Sequence, residues 1–105
     1  MANTYKNSKV AGITSETDII TGSGQSIVIG LSIANTDTND AKVTVNLTDN
    51  DGSNAVSIVK DGSVPINNSL IVIGGEQKLV IADTQKVKVS SDYSVDVVLS
   101  YLEIS

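Results

Sequence analysis

The sequence predicts an all-β fold: a compact antiparallel β-sandwich or jelly-roll-like domain of about eight short strands. Three observations carry this. Val, Ile and Thr number 14, 12 and 9 against 6 Leu and 6 Ala, so β-branched residues and Thr fill a third of the 105-residue chain. Such side chains lose rotamer freedom in a helix and pack well on a pleated surface. No segment sustains apolar residues at helical spacing, whereas apolar and polar residues alternate with period two. Gly, Asp, Asn and Ser clusters interrupt that alternation about every 8–12 residues, the rhythm of strands joined by turns. The chain is 40% hydrophobic and 10.9 kDa, enough for one modest core.

Residues 1–8 are polar and predict an N-terminal arm, extended onto a neighbour or frayed. Residues 9–105 are expected to form a single β-sandwich domain, since no linker divides them. Lys9 to Ile13 and Asp18 to Thr21 are the first two strand candidates, ended by Gly22-Ser23-Gly24. Ser26 to Ala34 follows, with Ile27, Ile29, Leu31 and Ile33 expected on one face. A polar turn, Asn35 to Asp40, leads to Ala41 to Thr48, where Val43, Val45 and Leu47 point inward. The turn Asp49 to Asn54 closes a hairpin onto Ala55 to Lys60, and Asp61-Gly62 reads as a further turn. Pro65 belongs at a strand edge or in a loop. Ser69 to Ile73, ended by Gly74-Gly75, then Lys78 to Ala82 and Lys86 to Val89 are short strands. After Ser90-Ser91-Asp92, Ser94 to Ile104 is the last strand.

That last strand is apolar on two faces. Val95, Val97, Leu99 and Tyr101 share one, while Val98, Leu102 and Ile104 lie on the other. A strand covered on one side alternates more strictly. Two readings follow: the strand is central in a two-layer core, or Val98, Leu102 and Ile104 form a subunit interface.

Composition narrows the chemistry. The chain has no His, Cys, Trp, Phe or Arg. It therefore lacks the usual general base, thiolate chemistry and the bidentate guanidinium clamp for phosphate or carboxylate. Net charge is −5, and a chain with seven Lys and no Arg is poorly suited to nucleic acid or to an anionic membrane surface. No run of about 18 apolar residues predicts a membrane span, and the stretch Met1 to Lys6 lacks the apolar core of a secretory signal. No enzyme, cofactor or metal is expected.

Individual motifs agree. Asp49-Asn50-Asp51-Gly52-Ser53 starts like an oxygen-ligand calcium loop, but Lys60 falls where a bidentate Glu is needed. An Asx-rich hairpin turn explains the same letters. The acidic turn Asp37 to Asp40 would share an ion with it only if both turns lay at one end of the fold. Glu16, Glu76 and Glu103 have no spacing that predicts a shared cleft, and the glycine pairs lack the Lys and helix of a phosphate loop. Tyr5, Tyr93 and Tyr101 could stack a sugar if they met on one surface.

From Ile27 onward the order of elements carries a resemblance. It runs through Ile27 to Thr36, Ser57 to Pro65, Ser69 to Ile73 and Lys86 to Ser91, and ends in Ser94-Val95-Asp96-Val97-Val98-Leu99-Ser100-Tyr101-Leu102-Glu103-Ile104. This resembles the small all-β virion structural proteins of tailed bacteriophages, those of marine and cyanobacterial phages especially. The resemblance implies a non-enzymatic, multi-copy protein in the virion. Its first expected role is a capsid decoration (cement) protein that stabilises the assembled shell. A neck or tail accessory subunit is the alternative, and a host-surface or glycan-binding module the rival from another class. The implied partners are capsid or neck and tail proteins and further copies of the chain, a trimer by analogy with a capsid threefold.

Overall fold

Among the described residues the alternating segments form nine strands and no helix, in a computed structural model that describes residues 3–74 and 76–104. Met1 and Ala2 of the expected arm, Gly75 of the Gly74-Gly75 break, and Ser105 lie outside the described residues. The strands are β1 (Asn3–Ile13), β2 (Thr17–Thr21), β3 (Gln25–Asn35), β4 (Ala41–Thr48), β5 (Val56–Val64), β6 (Ser69–Ile73), β7 (Leu79–Ile81), β8 (Lys86–Ser91) and β9 (Val95–Ile104). They make two antiparallel sheets packed face to face. Sheet A has the order β1-β9-β3-β6, with β7 also paired to β3, and sheet B has the order β2-β8-β4-β5.

The pairing is nested. β1 pairs with β9, β2 with β8, β3 with β6, and β4 with β5. The chain is thus a long hairpin whose tip is the Asp49 to Asn54 turn, wound so that successive pairs fall in alternate sheets. At that tip Gly52 N donates to Asp49 O (2.9 Å) and Asp49 N to Ser53 O (3.0 Å). Gly52 has φ of +83°, a backbone that a Cβ would strain.

The core lies between the sheets. Sheet A contributes Val28, Leu31, Ile33, Val95, Val97 and Leu99, and sheet B contributes Val43, Val45, Val87 and Val89, all fully buried. Burying each such side chain is worth about 1.5–3 kcal/mol, which offsets the entropy lost in ordering it.

Three sequence expectations are corrected. Asn3–Ser8, expected as a polar arm, are the first half of β1, paired from Asn3↔Ile104 to Ser8↔Leu99. Pairing there is a matter of backbone hydrogen bonds, so exposed polar side chains are no obstacle. Asp61-Gly62, expected as a turn, is an irregularity inside β5, with Asp61 at φ +52° and the β4–β5 register shifting between Val43 and Val45. Bulges of this kind take the same residues as turns.

The third correction concerns β3. Ile27, Ile29, Leu31 and Ile33 do not share a face, because the β3–β9 register shifts between Val28 and Gly30. The extra residue is Ile29. Strand periodicity makes a one-residue insertion swap the faces, so Val28, Leu31 and Ile33 point into the core while Ile27 points away.

Among the described residues buried polar side chains are few; Ser26 Oγ has no hydrogen-bond partner, whereas Asn35 is firmly anchored. Asn35 donates from Nδ2 to Val64 O (2.8 Å) and Asn39 O (2.9 Å), and its Oδ1 accepts from Asp37 N (2.8 Å). One side chain thereby ties the β3–β4 turn to the end of β5. Asn35→Ala leaves the buried Val64 carbonyl without this partner and is expected to cost about 1–3 kcal/mol in chemical denaturation. A loss below about 0.5 kcal/mol would contradict that role.

Gly22 is fixed by close approach. Its N donates to Gln85 O (2.8 Å), its O accepts from Thr84 N (2.9 Å), and a Cβ would run into the Ala82 carbonyl.

Candidate interaction surface

The two outer faces of the sandwich differ in chemistry. Sheet B presents Thr44, Asn46, Ser57, Ser63 and Ser90 with a cluster of charges. Lys88 Nζ reaches Asp18 Oδ1 at 2.9 Å and Glu16 Oε1 at 4.0 Å, and Lys86 Nζ reaches Asp18 Oδ2 at 3.3 Å. The pattern is that of a solvated face.

The hydrogen bond from Lys88, helped by a second from Lys86, holds the Asp18 carboxyl below its ordinary pKa against the opposing desolvation. Its bond to Asp18 raises Lys88 in turn. A carboxyl depressed in the folded state stabilises above its unfolded pKa, and that stabilisation is lost as pH falls below about 4. The Asp18 side chain is 44% exposed, so solvent screening keeps the effect small. Asp18→Asn is expected to lower the Tm by a few degrees at about pH 7 and to leave it unchanged at about pH 2. An equal loss at both pH values would show that the ion pair is not its source.

Sheet A is different. Its outer face carries Val98, Leu102 and Ile104, the three residues singled out in the last strand. Val98 is exposed at 48%, and Leu102 and Ile104 are half-buried by neighbours on the same face. Val95, Val97 and Leu99 point into the core, and Tyr101 packs against it. β9 is therefore central in sheet A, with one face in the core and the other apolar and open.

Register joins further residues to this face. Tyr5 lies opposite Leu102, Leu102 opposite Ile27, and Ile27 opposite Val80. These four residues form a row that crosses sheet A from one edge strand to the other. A second row runs Lys9, Val98, Ser32, Ile71. Tyr5 is 76% exposed, Ile71 70% and Val80 53%. Between the rows lie Asn7, Ser100 and Gly30. Sequence reasoning missed Tyr5, Ile27, Ile71 and Val80 as members of this surface. Gly30 within an apolar strand was the available signal for a bulge.

The other candidates do not assemble. Tyr5 is on the outer face of sheet A, Tyr101 packs on the inner side, and Tyr93 lies in the β8–β9 turn, so the three rings make no common platform. The acidic turns 37–40 and 49–54 sit at opposite ends of β4. Eight residues of strand separate them, about 26 Å, and no single ion bridges that gap. Their carboxylates are engaged locally. Asp37 Oδ1 accepts from Thr38 N (2.7 Å) and Asn39 Nδ2 (3.1 Å), and Asp51 Oδ1 from Ser53 N (3.0 Å). The Asn39 side chain first, with backbone donors, holds Asp37 below the ordinary carboxylate pKa, and the Ser53 side chain, with its backbone N–H, does the same for Asp51. Among the described residues no three acidic groups cluster to hold a metal. A cleft of about 340 Å³ between β5 and the β6–β7 side is lined by Ile58, Val59, Val72, Ile73 and Leu79, with Gln77 and Lys78 at its polar margin.

No protein-family model and no curated protein sequence matches the chain. Solved structures that share its fold include two phage proteins. One, solved by iodide SAD phasing, is a pentameric capsid protein isolated from metagenomic phage sequences. It superposes with a TM-score of 0.50 at 15% identity, over 94% of this chain and 66% of its own. A second pentameric capsid protein isolated from metagenomic phage sequences gives a TM-score of 0.50 at 15% identity, over 93% of this chain and 60% of its own. This chain thus spans less than two-thirds of either structure. At this identity the likeness is one of fold: the β-sandwich described above is also the framework of pentameric phage capsid proteins.

Proposed function

We propose that this chain is a non-enzymatic structural protein of a bacteriophage virion, present in many copies, and that it works as a decoration protein on the assembled capsid. One observation carries the reading: a sandwich with a polar outer face on sheet B and, on the outer face of sheet A, the apolar row Tyr5, Leu102, Ile27 and Val80 with Val98 and Ile71 exposed nearby. Exposed apolar groups gathered in one patch mark a surface that another protein covers. The nested pairing supports a jelly-roll winding, an architecture that viral capsid subunits use. The fold shared with pentameric capsid proteins supports the same class and supports a homo-oligomer. It gives no support to the trimer expected from a capsid threefold.

In this reading sheet A seats against the shell and sheet B faces water. A subunit that binds only the assembled shell stabilises it by mass action. Many copies make weak single contacts sufficient. None of this requires a cofactor or a titrating group, in keeping with a sequence free of His, Cys and Arg.

Gold-labelled antibody against the protein, applied to purified virions under the electron microscope, tests the proposal. Label spread over the head is expected. Label confined to the neck or tail would replace decoration by an accessory role there, and unlabelled particles would overturn the virion reading.

A further inference from the structure

We infer that copies of this chain join through the two edges of sheet A, with β1 of one copy adding to the β6–β7 edge of the next so that the sheet runs on around a closed ring. The inference rests on the homo-oligomer reading above and specifies its contact.

Edges come first. β1 and β6–β7 are the outermost strands of sheet A, and an outermost strand presents unpaired N–H and C=O groups that template another chain. Proteins blunt such edges where pairing is unwanted. Sheet B is blunted: β2 is five residues long with a register shift, and β5 is broken by two shifts, one at Lys60 and Asp61 and one at Ile58. β1 is not. It is 11 residues long, contains no Pro, and keeps regular register with β9 from Asn3 to Val10. Its Lys6 is drawn to Glu103 on β9 (3.1 Å). On the opposite side, β7 and β6 together flank β3 from Ser26 to Ala34, so the two edges are of similar length.

Strand direction comes second. Along the order β1-β9-β3-β6 every neighbour is antiparallel, and the path holds four strands, an even number. β1 and β6 therefore run in opposite directions. Copies related by rotation about an axis roughly along the strands would bring β1 antiparallel to the β6–β7 edge of the next copy. That contact uses two different surfaces of one subunit, the head-to-tail kind that closes rings.

Side chains come third. Three of the most exposed large apolar residues lie on these two edges: Tyr5 on β1, Val80 on β7 and Ile71 on β6. Tyr5 and Val80 are the two ends of one cross-strand row. In a head-to-tail junction without shear, Val80 of one copy meets Tyr5 of the next, an aromatic–β-branched pair that favours sheet pairing. The second row then brings Ile71 beside Lys9, whose aliphatic stem can cover it. Both rows continue from copy to copy.

The chain has no cysteine, so introduced thiols report cleanly. Lys9→Cys, Ile71→Cys and the double variant would be treated with a bis-maleimide of about 10 Å reach, and the uncross-linked mass of each measured by light scattering. The double variant is expected to give a ladder of covalent species rising to the copy number found by light scattering, while each single variant stays monomeric on denaturing gels. An oligomer whose double variant gives no ladder would overturn the edge contact and leave the homo-oligomer reading standing. Dimers from Lys9→Cys alone would overturn it in favour of β1–β1 pairing. A monomer by light scattering at every concentration would overturn both.

Discussion

Val98→Asp is expected to leave the fold intact and to cut binding to virions by about a hundredfold or more. Val98 is 48% exposed at the centre of the outer face of sheet A, between Lys9 and Ser32 on the neighbouring strands. In the free protein the carboxylate meets water, and the cost is limited to reduced strand preference, about 1 kcal/mol or less. Against a partner surface the same charge is desolvated without a counter-ion, a penalty of several kcal/mol. About 3 kcal/mol already corresponds to roughly a hundredfold in affinity. Leu102→Asp, one row away, is expected to act in the same way. Circular dichroism gives the fold, and co-sedimentation with particles gives the binding. A folded Val98→Asp that binds as the parent does would remove sheet A from the contact.

The neighbouring position should behave oppositely. Leu99 is fully buried, opposite Leu31 on one side and Ser8 on the other. Leu99→Ala removes three carbons, Cγ and its two methyl groups, from a core that β-branched neighbours fill closely and refill poorly. A loss of about 2–5 kcal/mol is expected. Total stabilities of small domains are about 5–15 kcal/mol, so this is a large share. The Tm should fall by more than about 10 °C in calorimetry, with binding per folded molecule unchanged. A Tm within about 3 °C of the parent would mean that the inner face of β9 is not the packed core described. The two adjacent substitutions thus separate assembly from folding on one strand.

Much of this was legible in the sequence. Strict alternation in 41–48 placed β4 to the residue, and its inward set Val43, Val45 and Leu47 faces the core. The two-faced apolar pattern of 95–104 marked β9 as unusual, and the strand is central in its sheet, with one face in the core and Val98 exposed on the other. What escaped has a common physical origin. Ile27 changed face because one inserted residue, Ile29, shifts the period, and periodicity carries no warning of that beyond the glycine next to it. Asn3–Ser8 are held by backbone bonds to β9, which leave no trace in side-chain pattern. Tyr5, Ile71 and Val80 are 66 and 75 residues from one another along the chain, counting from Tyr5, and only sheet order brings them onto one face.

The most direct test compares the two outer faces in place. Val98→Cys on sheet A and Lys42→Cys on sheet B each put one thiol into a chain that has none. Both should react readily with a polar maleimide on the free protein, since Val98 and Lys42 are both exposed. In purified virions carrying the variants, Val98→Cys should be protected while Lys42→Cys stays as reactive as before. Equal reactivity of the two in particles, or protection of Lys42→Cys alone, would contradict the assignment of sheet A as the covered face.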